Sequence, residues 1–439
     1  MNTVKSNKSY DTTFSVLLAV YPFISNYAMP GIPALGLNEF LMIVFSGFYV
    51  ASKVRNPIIK VYKNGFFEFF FLYSIIGSLV IAIFIPLANF GDVFFRILRN
   101  CLQWFIVFFL AKELFNFLVF YEVYRIMATA LSLFLIIQNI AFLGAGVVIP
   151  WLIPGLKLNY TISDPTEYMN HFVGKYYHLG TSIRATGGFT EPAAFTAYVL
   201  PVLALTLILL GNDSRIRGKR KYYIAVAAIS SAVFLATSAI GILSMAAIYT
   251  VFFCKWSAKK GSKLKAFLVP IAFFSIVILG IYLVSTNAMI QSYMLRFEEI
   301  DLSAGASSGN QRVLRGIFVF LGLPFLMEIF GTGFGNISAT LLSFNIHTPY
   351  DPEFGSNYMN GLSEVLVSTG IVGFAAFIMG LVVCVRKNWV NILELIVVFG
   401  CYMISANMLA SASFVIYLVL ITYFQTHKFW LPNNSTGEK

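Results

Sequence analysis

The feature that most restricts this chain is its succession of apolar runs, roughly 15 to 25 residues each, closed by turn residues or by knots of lysine and arginine. Runs of that length match the hydrocarbon core of a bilayer. Backbone in lipid must satisfy its own polar groups, which leaves helices as the way across. Composition agrees: 58% of residues are hydrophobic, 11% are charged and 45 are Phe, outside the range of a water-soluble domain. The expected fold is an all-α polytopic integral membrane protein, one membrane domain over residues 1–439. No small-residue cleavage site follows the first apolar run, which therefore reads as a retained span and not as a signal peptide.

About twelve spans are expected, near residues 14–28, 37–51, 66–87, 94–110, 125–143, 192–210, 222–237, 240–253, 267–284, 362–385, 390–404 and 408–425. Basic residues gather in the short connections at 53–63, 215–221, 255–265 and 386–387, which the positive-inside rule places in the cytoplasm with both termini. Roughly 22 of the 30 Lys and Arg fall on that side. The net charge of +11 thus needs no nucleic-acid partner. Two long polar stretches, 144–190 and 285–360, then face outward, the second with a short helix near 311–329. The basic residues left outside are Arg96, Arg99, Lys157, Lys175, Arg184, Arg296, Arg312 and Arg315. Cys101, Cys254, Cys384 and Cys401 lie in apolar runs with no paired spacing, so they point to neither a disulfide framework nor a metal site. No repeat relates the two halves, which weighs against transporter folds built from inverted repeats.

At the end of the first outer stretch, residues 184–201 place Arg184, the pair Gly187-Gly188 and Glu191-Pro192 directly before an apolar run. Pro192 suits the first helical position, and a carboxylate before it is favoured by the positive end of the helix dipole. Arg184 is near enough in sequence to share a pocket with Glu191. An interfacial arginine that snorkels, beside an ordinary helix start, is the alternative.

In the second stretch, Arg312 and Arg315 are three apart and would share a helix face, a spacing that can clamp a phosphate through two guanidinium groups. The competing reading is a surface helix touching lipid headgroups. The run Gly331-Thr332-Gly333-Phe334-Gly335 has the composition of a phosphate loop, but no strand precedes it and no Lys-Ser/Thr follows, so a loop needing positive φ explains it better. His171, His178 and His347 are candidate bases or proton shuttles whose spacing fits no metal motif. Asp351, Glu353 and Glu364 add carboxylates. Arg96 and Arg99 share a face in the outer turns of an apolar span, where an unpaired cation is costly; they either snorkel or reach a lipid-linked phosphate. Trp151, Tyr160, Tyr168, Tyr176, Tyr177, Tyr350 and Tyr358 either stack on sugars or form an interfacial belt.

Taken together, these stretches resemble the O-antigen polymerase and ligase superfamily, the Wzy-type polysaccharide polymerases and their lipid A-core ligase relatives. Arg184 with Gly187-Gly188-Phe189 and Glu191-Pro192 looks like the motif closing the family's first large loop. Ser308-Gly309-Asn310-Gln311-Arg312 followed by Phe330-Gly331-Thr332-Gly333-Phe334-Gly335 is similar to its second loop. Asn360 with Glu364 and Ser368-Thr369-Gly370-Ile371-Val372-Gly373 matches the segment leading into the next span. Ligases of the family carry a His beside the aligned Asn; here Met359 stands there, which favours the polymerase, with His347 the remaining stand-in. The hairpin at Thr237-Ser238-Ala239-Ile240-Gly241 lacks an Arg often found in relatives.

The resemblance implies a GT-C-like membrane glycosyltransferase, working without metal or other cofactor on the extracytoplasmic face of a bacterial inner membrane. Donor and acceptor would be undecaprenyl-pyrophosphate-linked glycans, with a chain-length regulator as a further partner. Arg184 and Arg312 would stabilise the leaving pyrophosphate, assisted by Arg315 and by Arg96 or Arg99. Glu191 would serve as general base, with His178, His347 and Glu364 behind it and Asn360 in substrate binding. An O-antigen ligase, a flippase for lipid-linked oligosaccharide and a non-catalytic assembly protein are the rival readings. A flippase is expected to keep its cations along a central cavity with short loops.

Overall fold

The structure, a computed structural model, describes residues 8–53, 61, 63–150, 153, 156, 185–212, 218–259, 308–351 and 359–427. Its long helices are α1 (Lys8–Ile24), α2 (Leu37–Lys53), α3 (Gly65–Phe84), α4 (Phe90–Leu114), α5 (Phe117–Ala145), α6 (Pro192–Asn212), α7 (Arg220–Leu235) and α8 (Ala239–Lys259). Four short helices follow, α9 (Ser308–Val313), α10 (Arg315–Leu321), α11 (Phe325–Phe330) and α12 (Ile337–Ser343), and then α13 (Gly361–Val385), α14 (Leu393–Ser405) and α15 (Ala412–Thr426). A small hairpin, Ala28–Met29 against Ile32–Gly36, turns through Pro30 and Gly31 at φ 86°, where only glycine is unstrained.

Among the described residues, six helices are long and apolar enough to cross a membrane: α3, α4, α5, α6, α8 and α13. Two shorter apolar helices lie at 393–405 and 412–425. The expected span at 267–284 lies outside the described residues. Side-chain caps set several helix starts. Asn64, Asn89, Asn116 and Asn360 each accept from a backbone N–H of the first turn, satisfying donors that would otherwise be orphaned. The Asn116 cap starts α5 eight residues before the expected boundary, so Glu122 and Arg125 lie within the helix and not in a turn.

At the centre stands α6. From Pro192 to Leu210 every residue but Ala194 is buried, as a helix apolar on all faces requires. In lipid such packing is held by van der Waals contact and hydrogen bonds more than by exclusion of water. Pro201 lies inside α6 and cannot donate to the Ala197 carbonyl one turn earlier. The Tyr417 hydroxyl on α15 donates to that carbonyl at 3.3 Å.

The glycine-rich run is a backbone wedge. Gly331, Gly333 and Gly335 have φ of 86°, 78° and 87°, the conformation expected of them. Helix α13 breaks at Gly370, with φ 62° and ψ −171°. The Thr332 and Gly333 N–H groups donate to the Val367 and Ser368 carbonyls at 2.9 and 2.8 Å, just before that break. The Phe334 N–H donates to Ser78 Oγ on α3 at 2.8 Å. A Cβ on Gly370 would lie 2.3 Å from the Ile329 carbonyl oxygen. These amides are spent on the fold, so the loop is no phosphate cradle.

The expected single helix near 311–329 is instead three pieces, α9 to α11. Leu314, at φ −101°, separates α9 from α10, and Gly322 to Pro324 separate α10 from α11.

Candidate functional site

A polar cavity of about 530 Å³ opens at one end of the bundle, where α1, α2, α4, α6 and α9 converge with the stretch before α15. Glu39, Arg99, Gln103, Glu191, Arg312 and Tyr402 are among its lining residues, with Asn26, Asn38 and Asn407. So many polar groups on otherwise apolar helices are costly unless a ligand or water uses them.

Local structure delivers Glu191 to this cavity. Gly187 and Gly188 turn the chain at φ 60° and 98°, and a Cβ on Gly187 would lie 2.7 Å from the Phe195 ring. The Gly187 N–H donates to Gln138 Oε1 at 3.1 Å, and Asn26 Nδ2 donates to the Gly188 carbonyl at 3.3 Å. Phe189 is buried against Phe23, Phe195 and Tyr198. With that anchor set, Glu191 sits at the start of α6, its side chain 47% exposed. Arg312 faces it from α9, Nη2 to Oε2 being 3.9 Å, with its own side chain 24% exposed. The pair is close enough to interact and open enough to admit a ligand.

Asn360 works from behind. Its Oδ1 accepts from the Ser363 N–H at 2.8 Å, capping α13, and its Nδ2 donates to the Arg312 carbonyl at 2.7 Å. One side chain thus fixes the start of α13 and the end of α9. Asn360 is not among the cavity's lining residues, whereas its neighbour Met359 is.

Arg315 takes a different course from Arg312. Its side chain is 2% exposed and its Nε donates to Asp351 Oδ1 at 3.1 Å. The break at Leu314 means that the expected clamp, two arginines on one helix face, is not formed. Burial alone would raise the pKa of Asp351, but hydrogen bonds from the N–H and hydroxyl of Thr348 and from Arg315 hold it below the usual carboxylate value.

Arg96 and Arg99 lie one turn apart on α4 and reach different carboxylates. Arg96 Nη2 is hydrogen-bonded to Glu364 Oε1. Glu364 is buried, and its Oε2 has no hydrogen-bond partner. Arg99 Nε donates to Glu39 Oε1 at 2.5 Å. Neither arginine simply snorkels. His347 is 77% exposed, beside Asn345 at 3.0 Å and Asp351 at 3.6 Å, and is not part of the cavity lining. Arg184, His178 and His171 lie outside the described residues, as does most of the 144–190 stretch. Among the described residues no three His, Cys, Asp or Glu side chains come together as metal ligands.

The structure also brings in residues that the sequence did not single out. Glu39 is a carboxylate in the first turn of an apolar helix, and its expense in lipid was the available signal. Tyr402, whose hydroxyl donates to Thr196 Oγ1 at 2.6 Å, carried none.

Fold and site together define a polytopic α-helical membrane protein with a polar cavity at one end of the bundle. No family model matches the chain, and no curated protein matches it.

Proposed function

We propose that the protein is an integral membrane glycosyltransferase of the O-antigen polymerase type, joining lipid-linked oligosaccharide repeat units by block transfer on the extracytoplasmic face of a bacterial inner membrane. The observation that carries the reading is the facing of Glu191 and Arg312 across 3.9 Å in a polar cavity.

In this reading an acceptor sugar hydroxyl gives its proton to Glu191 as its oxygen bonds to the donor's anomeric carbon. The bond from that carbon to the lipid pyrophosphate breaks, and its electron pair leaves on the phosphate oxygen. Arg312 meets the developing charge, and Arg184 is proposed to act with it. A guanidinium suits this task because its planar fork matches phosphate oxygens and it stays charged. Preorganised donors of this kind stabilise charge where it develops in the transition state. The part-buried pairs Arg96–Glu364 and Arg315–Asp351 hold the surrounding helices. Asn360 is a positioning residue in this scheme and not a contact to substrate.

The test is a purified-protein assay with an undecaprenyl-pyrophosphate-linked repeat unit, read by gel for a ladder. The parent is expected to give a ladder, and Glu191→Gln none. A ladder from Glu191→Gln overturns its role as base. If the parent makes no ladder but moves the lipid across a proteoliposome, the chain is a flippase instead.

A further inference from the structure

Glu39 and Arg99 line two cavities at once. One face of the pair belongs to the polar cavity, the other to an apolar cavity of about 890 Å³ among α2, α3 and α4. The apolar wall follows α4 from Phe95 to Phe109, a distance of about 21 Å at 1.5 Å per residue. The two spaces therefore meet at an ion pair, with hydrocarbon on one side and polar groups on the other.

The pair itself is half used. Glu39 is held on both oxygens, Oε1 by Arg99 Nε at 2.5 Å and Oε2 by the Gly36 N–H at 3.0 Å. Arg99 engages it through Nε alone, and among the described residues its terminal nitrogens hydrogen-bond to nothing. A guanidinium has five N–H donors, so four remain for another acceptor. With 36% of its side chain exposed, Arg99 is fixed in direction by Glu39 and still accessible. A molecule that satisfied both spaces would carry a long apolar chain and an anionic head with several acceptor oxygens.

We infer that the apolar cavity seats the hydrocarbon chain of a polyprenyl phosphate lipid, whose phosphate is bound by the terminal nitrogens of Arg99 at the mouth of the polar cavity. The choice of a polyprenyl chain rests on the proposed function; the chain-plus-anion geometry does not. Glu39 is then a positioning residue, aiming the fork without being displaced. A headgroup held there would place its sugar in the cavity that contains Glu191 and Arg312.

The test uses the full-length protein in phosphatidylcholine nanodiscs with a photoactivatable polyprenyl phosphate, its diazirine in the isoprenoid chain, and maps labelled peptides by mass spectrometry. Labelling is expected to concentrate on α2 and α4 and to be competed by unlabelled polyprenyl phosphate at least tenfold better than by polyprenol. Arg99→Gln should erase that difference, and Arg99→Lys, which keeps the charge but not the fork, should restore part of it. Ile43→Trp, which fills the cavity from α2, should lower labelling at these peptides by tenfold or more. Labelling spread evenly over lipid-facing helices overturns the inference. So does equal competition by polyprenol or by phosphatidylglycerol, which would make the occupant ordinary membrane lipid. Selective labelling from a protein that forms no ladder supports this site and counts against the polymerase reading. A ladder without selective labelling does the reverse.

Discussion

Arg312 and Arg315 are three residues apart and have opposite circumstances. Arg312 stands at a cavity, 3.9 Å from a half-exposed carboxylate. Arg315 is sealed in protein, 3.1 Å from a carboxylate that three other hydrogen bonds or contacts also hold. Arg96 is partly buried and pairs with the buried Glu364. The contrast separates a cation sealed into the helix packing from one that lines a cavity. Breaking a buried pair is expensive because it strands a charge; loosening an exposed one is not.

Removing each arginine in turn tells the two roles apart. Arg312→Ala is expected to lower polymer formation by about a hundredfold or more, as for loss of a donor to a developing charge, while its melting temperature in detergent stays within about 2 °C of the parent. If instead Arg312→Ala unfolds the protein, it is a structural residue like its neighbour. Arg315→Met should do the opposite. It leaves Asp351, 34% exposed, to Thr348 and His347 and is expected to cost about 1 kcal/mol of stability, read by thermal denaturation, with activity of the surviving folded fraction within about threefold of normal.

Asn360→Ala tests the link between the two regions. Loss of the cap alone should cost about 1 kcal/mol. Loss of the bond to the Arg312 carbonyl should lower kcat with KM little changed, whereas a residue that binds substrate uniformly would raise KM. The smallest effect concerns pH. Because the folded Asp351 has a depressed pKa, its contribution is full above the ordinary carboxylate value of about 3.9 and is lost as pH falls through its own lower value. The stability gap between Asp351→Asn and the parent, below about 1 kcal/mol at pH 7 for a partly exposed pair, should therefore close on acidification toward pH 3. A gap that widened in acid would contradict the assignment.

What the sequence made legible was local. Pro192 marks the start of α6 as its missing N–H suggests, and the positive φ values of Gly331, Gly333 and Gly335 follow from composition. The pairing of Arg312 with Glu191 was half visible, since both residues stood out as charges at membrane boundaries. The divergence of Arg315 was not, because it depends on a break at Leu314, and leucine carries no breaker signal. Nor was Glu39, whose partner Arg99 lies 60 residues away; such pairings are settled by helix packing and not by any local pattern. Arg184 and His178, prominent in the sequence, lie outside the described residues.

The glycine wedge joins parts of the chain that are made at very different times. The Ser78 hydroxyl on α3 and the Phe334 N–H that it accepts are 256 residues apart, so α3 is synthesised long before its partner exists. At translation rates of about 5 to 20 residues per second, the interval is on the order of tens of seconds. During that time α3 and α4 wait without the wedge, and α13, which must break at Gly370 to receive it, has not been made. The wedge carries the chain on from α9 to α13, the elements that place Arg312 and Asn360. The cavity is therefore completed among the last steps of biogenesis, and a nascent chain can sit in the membrane for most of its synthesis without a formed site.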